Sequence, residues 1–143
     1  MLPRIVVGCL LVAATVAVHA MGLSLLLRAL LKTHALPPTR FWPITWLLVR
    51  VAWFLIFIHL LEISIWAFFY LGSGCLPNTE AAFYFSGVTY ATVGYGDLVL
   101  PLPWRLIAPV EGLTGILMCG LSTGVFFVIV NRLFIGRYNL RTS

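Results

Sequence analysis

Residues 92–97 read Thr92–Val93–Gly94–Tyr95–Gly96–Asp97, and how this hexapeptide is read decides the fold of the chain. Gly94 and Gly96 alternate with bulky residues, so the two positions most open to positive φ carry no Cβ. In a soluble protein such a segment is a turn. Its surroundings here point elsewhere. A short apolar stretch from Thr79 to Ala91 runs directly into it, and long apolar stretches lie on either side. Crossing a bilayer takes roughly 20 apolar residues. The stretches from about Ile5 to Leu31, Val51 to Leu71 and Leu106 to Val130 are long enough. Thr79–Ala91 would reach only about 20 Å as a helix, too short to cross, and is therefore expected to be re-entrant. Irregular backbone at membrane depth is tolerated only where protein surrounds it or it lines a wet cavity.

Successive carbonyls face one axis when ordinary and left-handed residues alternate, with Gly94 and Gly96 left-handed and the Val93 and Tyr95 side chains turned away. Rings of neutral carbonyl oxygens replace the water of a dehydrated cation without trapping it. The loop Thr92–Gly96 resembles the carbonyl loop that coordinates K+ in this way. On these residues and their setting, the chain resembles the tetrameric potassium-channel pore family in its small two-helix, bacterial-type form, over about residues 50 to 132. The resemblance implies K+ held at Thr92, Val93, Gly94 and Tyr95, with the Thr92 hydroxyl at the inner end and Gly96 completing the selectivity filter. It also implies that Asp97 sits behind the outer mouth and hydrogen-bonds the pore helix. Tyr84, eight residues before Thr92, stands where many members carry a tryptophan that holds this aspartate, and its hydroxyl can take the same part. Val88 stands where some bacterial relatives carry a buried glutamate, so that acid pair is expected to be absent.

The fold expected is therefore an all-α membrane protein with three transmembrane helices and a re-entrant pore helix and filter loop between the second and third. Residues 1–45 form an additional N-terminal span and its cytoplasmic connection, 46–132 the pore domain, and 133–143 a short cytoplasmic tail. A composition of 62% hydrophobic and 9% charged residues excludes an ordinary soluble domain. Arg28, Lys32, Arg40 and Arg50 cluster around the first connection, and Arg132, Arg137 and Arg141 follow the last span, leaving Arg4 and Arg105 for the other side. The positive-inside rule then puts the N-terminus and filter mouth outside and the C-terminus in the cytoplasm, in a plasma or bacterial inner membrane. The net charge of +5 reads as topology and lipid contact, with no nucleic-acid partner.

The third span is the expected inner helix. By resemblance Gly115 is the gating hinge, while close packing through Gly120-x-x-x-Gly124 is the plainer use of its glycines. Helical counting puts Ile116, Cys119, Thr123, Phe127 and Asn131 on one face. Thr123 would face an aqueous cavity and Phe127 would form a hydrophobic gate or simply pack. Glu62 and Glu111 fall inside spans, where an ionisable group is a functional candidate. His59 lies three residues before Glu62 and can pair with it or with Glu111, as a proton-sensitive gate or as a tie that locks helices together. His19 and His34 carry no usable signal. No arginine-rich voltage-sensing helix is present.

The connection Pro37–Pro38 to Trp46 combines prolines, aromatics and Arg40 and is expected to lie along the interface before the second span enters. Residues 1–20 also resemble a signal peptide, but apolar character continuing to Leu31 favours a retained span. Cys9 and Cys119 read as small apolar residues, and Cys75 as a free thiol in the short loop, with an intersubunit disulfide as the alternative. Nothing resembles enzyme machinery, and no cofactor or small-molecule substrate is indicated beyond K+ as permeant ion. The family's carbonyl rings need four loops and each chain has one, which implies a homotetramer in membrane lipid. The rival expectations are a weakly selective cation channel and a non-conducting accessory subunit.

Overall fold

A computed structural model describes residues 2–32 and 41–142, with side chains described for 2–32 and 42–133. His34, Pro37–Pro38 and Arg40 lie outside the described residues, as do the side chains of Arg137 and Arg141. The chain forms α1 (Leu2–Lys32), α2 (Phe41–Gly72), α3 (Thr79–Tyr90), a 3-10 turn (Leu102–Trp104) and α4 (Ile107–Thr142), with no strand among the described residues. Three helical segments, Leu2–Lys32, Trp42–Gly72 and Leu102–Leu133, are long and apolar enough to cross a membrane. The 12-residue α3 is not, and it sits with the loop that follows it between the second and third.

Each long helix buries one face. On α1 the buried residues are Gly8, Thr15, His19, Gly22 and Leu26, spaced as one helical stripe. That stripe packs on α2 and α4, which gives α1 the standing of a structural helix of the bundle. The opposite faces expose Leu10, Trp53, Phe57, Leu60 and Phe68, a surface suited to lipid.

Two apolar clusters divide the bundle along its length. At the end that carries residues 92–97, Trp66, Tyr70, Phe85, Leu100 and Ile107 pack with Val7 and Leu11 of α1. At the far end Leu26, Val51, Leu55, Ile58, Ile129 and Leu133 pack together. The Arg4 guanidinium lies 5.8 Å from the Trp104 ring centroid, so α1 begins beside the start of α4.

The second helix begins earlier than its apolar core suggests. Phe41–Arg50 continues directly into the span as one helix, whereas a separate interfacial segment was expected over its first residues. Pro43 is its third residue, within the first turn, where a missing N–H leaves no internal bond unmade.

Candidate functional site

The helix that leads into residues 92–97 starts on an ordinary cap. The Asn78 side chain accepts from the Ala81 backbone N–H at 2.8 Å, and Glu80 lies in the first turn near the positive dipole end. Its other end is less ordinary. Thr92 N–H donates to Thr89 O at 2.9 Å and Val93 N–H to Val88 O at 2.8 Å, the bond pair of a Schellman motif. The residue that must then be left-handed is Thr92, with φ +58°. A threonine there costs of order 1–3 kcal/mol over a glycine, so the motif holds a strained residue at the foot of the loop.

The strain belongs to a repeat. Thr92, Gly94 and Gly96 have φ of +58°, +54° and +79°, alternating with residues of ordinary conformation. The pair of glycines accounts for two of these positions from sequence; Thr92 is the third, which composition alone does not mark. Val93 and Tyr95 are 50% and 71% exposed, so within one chain the apolar side chains of the loop stay largely uncovered.

Beside the loop, the Tyr84 hydroxyl donates to Asp97 Oδ2 at 2.7 Å, and the Asp97 Oδ1 accepts from Leu98 N–H at 3.1 Å. The hydrogen bond to Asp97 holds the Tyr84 phenol above the ordinary tyrosine range. Tyr84 therefore ties α3 to the outgoing end of the loop.

Two buried glutamate side chains hold α3 from behind. Glu111 of α4, fully buried, accepts from Ser86 Oγ at 2.5 Å and from Tyr70 O–H at 2.6 Å. Ser86 also lies 2.9 Å from the Ile63 carbonyl, so α2, α3 and α4 meet at this point. Glu62 of α2, also fully buried, meets α3 four residues later. Its Oε2 accepts from the Tyr90 hydroxyl and lies 3.1 Å from His59 Nδ1, and its Oε1 lies 2.7 Å from His19 Nδ1. His59 Nδ1 is also 2.9 Å from the Tyr90 oxygen. His59 thus pairs with Glu62 and Tyr90; Glu111 takes other partners.

His19, which carries no sequence signal of its own, completes this cluster from α1. It is 1% exposed, and its Nε2 has no hydrogen-bond partner among the described residues. Ligand atoms of His19, His59 and Glu62 lie within 4.8 Å of one another. Two imidazoles and a carboxylate form a set that zinc accepts, yet here their hydrogen bonds to one another and to Tyr90 already satisfy the converging atoms.

A family model described as "Ion channel" matches residues 56–132, more than half of the chain. The chain belongs to this ion-channel family. No curated protein and no solved structure matches it at a significant level. The family match takes in the second half of α2, all of α3, the loop and α4 as far as Arg132, and leaves out α1.

In this channel chain α4 is one unbroken helix through Gly115. The role of that glycine in the fold is a close approach: a Cβ there would stand 2.9 Å from the Tyr90 carbonyl carbon, and Gly112 lies beside Thr89 O in the same contact. Gly120 and Gly124, the expected packing pair, have no neighbour within 4 Å of an added Cβ. Ile116, Cys119, Thr123, Phe127 and Asn131 all lie exposed on one side of α4, with Ile116 at 55% and Phe127 at 66%. The Thr123 hydroxyl turns back to the Cys119 carbonyl at 2.8 Å. Cys75 is a free, buried thiol in the apolar cluster with Trp66 and Tyr70, 2.9 Å from Ser73 Oγ, a poor position for a bond to another chain.

Proposed function

We propose that this ion channel is a potassium-selective pore through which K+ passes passively down its gradient. The observation that carries the reading is the alternation of left-handed residues at Thr92, Gly94 and Gly96. That alternation is what carbonyl rings facing one axis require, and Thr92, Val93, Gly94 and Tyr95 would supply their oxygens. Thr92 would add its hydroxyl at the inner end. The C-terminus of α3 opens into the loop, so its dipole would lower the cost of a cation at that point.

One chain supplies one loop, and four are needed to close each ring. Exposure of Val93 and Tyr95 supports a homotetramer, because their packing partners must come from other copies. The exposed face of α4 from Ile116 to Phe127 would then line the cavity, Thr123 toward its water and Phe127 as a constriction. Gly115 would act as hinge only by loosening its contact with Tyr90. Tyr84 and Asp97 would hold the loop at the mouth in place of the tryptophan–aspartate pair. The basic residues Arg28, Lys32, Arg50 and Arg132 support a cytoplasmic far end, with the N-terminus and filter mouth outside a cell membrane.

The test is K+ uptake into liposomes containing the purified protein, with Gly94→Ala and a Na+ gradient as controls. Uptake that prefers K+ and vanishes in the variant is expected. Equal K+ and Na+ flux would replace the reading with a weakly selective cation pore. No flux from intact tetramers would replace it with an accessory subunit.

A further inference from the structure

Three helices meet at one carboxylate, and one of them lies outside the family match. Glu62 takes His19 Nδ1 on Oε1 at 2.7 Å, and the Tyr90 hydroxyl on Oε2 beside His59 Nδ1. His19 comes from α1, Glu62 from α2, and Tyr90 is the last residue of α3. Thr92, the left-handed residue that starts the loop, follows two positions later. The Tyr90 backbone is also the atom group against which Gly115 packs. Tyr90 is therefore fixed twice, at its carbonyl by α4 and at its hydroxyl by Glu62.

The His19 bond decides what Glu62 can do. At 0% exposure the Glu62 side chain is cut off from bulk solvent, so an oxygen that loses its donor must take another partner. That change alters the other oxygen, which holds Tyr90. The second polar tie of α1 offers a contrast. Trp66 Nε1–H donates to Thr15 Oγ1 at 3.0 Å, and Thr15 in turn donates to Leu11 O at 2.9 Å, a link between α1 and α2 that does not touch α3.

We propose that His19 is a positioning residue for the filter: through Glu62 it holds the Tyr90 hydroxyl and thereby the end of the helix from which Thr92–Gly96 departs. The first helix is then a part of the conducting machinery. This rests on the reading of that loop as a cation filter.

The experiment compares wild type, His19→Ala, His19→Asn and Thr15→Val as purified tetramers in liposomes. Reversal potentials in mixed K+ and Na+ are measured alongside hydrogen exchange over residues 88–96. His19→Ala is expected to lower the K+/Na+ permeability ratio about tenfold and to raise exchange in that segment about tenfold, the effect of losing one hydrogen bond to a buried charged group. His19→Asn places an amide donor where Nδ1 stands and is expected to restore both. Thr15→Val is expected to change neither. Wild-type selectivity and exchange in His19→Ala would overturn the proposal, as would equal changes in Thr15→Val. Tyr90→Phe makes the same test from the other end with almost no change in volume, and wild-type behaviour there overturns the proposal even if His19→Ala does not assemble. A wild-type protein without K+ preference would refute the filter reading instead, and the exchange data would still decide whether His19 positions the loop.

Discussion

Along α4, Gly112 and Gly115 lie against the backbone of Thr89 and Tyr90, whereas Gly120 and Gly124 face open space within the chain. The first pair sits beside Glu111, whose two hydroxyl partners come from α2 and α3. The second pair sits on a stretch whose contacts to its own chain are apolar, through Val125, Phe126 and Ile129. One end of the same helix is therefore locked to α3 and α2 by backbone contact and hydrogen bonds. Among the described residues the other is held to its own chain by side-chain packing, which leaves its exposed face open to partners in other copies. Fixed foot and free stem are what a pore with a steady filter and a moving gate would need.

The largest effect expected is at the locked end. Gly115→Ala puts a methyl into the Tyr90 carbonyl, and backbone cannot yield as a side-chain tip can. Overpacking of this kind costs about 3 kcal/mol or more, and loss of K+ flux together with a lowered melting midpoint in detergent should follow. Normal flux and stability in this variant would break the comparison outright. Next comes Glu111→Ala, which strands the Ser86 and Tyr70 hydroxyls in a buried site. A loss of about 3 kcal/mol is expected from the two missing bonds to a buried carboxyl group. Glu111→Gln, which keeps the volume and one acceptor oxygen, should lose about 1 kcal/mol by the same unfolding measurement.

What could be read from sequence follows how local each feature is. The loop, its glycines and the three spans are encoded in consecutive residues, and α3 begins at the predicted Thr79 because the Asn78 cap is adjacent to it. The spacing of Tyr84 and Asp97 was legible only through resemblance, since 13 residues separate the two ends of that hydrogen bond. His19 was missed because its partner lies 43 positions away on another helix. A signal did exist: an ionisable side chain in mid-span is a functional candidate, and the rule that marks Glu62 and Glu111 marks His19 equally. The partners of Glu111 had no such signal, because no helical spacing links Tyr70, Ser86 and position 111. Gly115 stood out in sequence, but the close contact that explains it is tertiary. The reach of α2 back to Phe41 was hidden by Pro43, which reads as a breaker until its place in the first turn is known.

A smaller effect is expected at the mouth, where the tie is exposed. Tyr84→Phe removes the donor to Asp97 and should lower K+ preference several-fold in reversal potentials while leaving the fold intact. The same bond sets a pH window. Because Asp97 raises the phenol above its ordinary value near 10, the folded protein favours the protonated tyrosine. Its contribution is fully present below about pH 10 and is lost as pH rises through the raised value. K+ preference that falls below neutral pH but not at alkaline pH would assign the effect to another group.

The smallest effect on the single chain, and the sharpest on the comparison, lies at Gly120 and Gly124. Alanine at either site meets no atom of its own chain, and it favours the helix by up to about 1 kcal/mol over glycine. If the far end of α4 is a free stem, each variant should keep or slightly raise the melting midpoint. If those glycines instead seat a neighbouring copy, the methyl will collide across the interface, and tetramers will weaken while the chain itself stays folded. Size-exclusion chromatography and thermal melting of the same samples separate the two cases. Gain in both would show a stem clear of neighbouring copies and a stiffer helix that slows any opening, read as reduced flux at unchanged selectivity. Loss of tetramer at unchanged helix content would move these glycines from the stem of a gate to the seam between subunits.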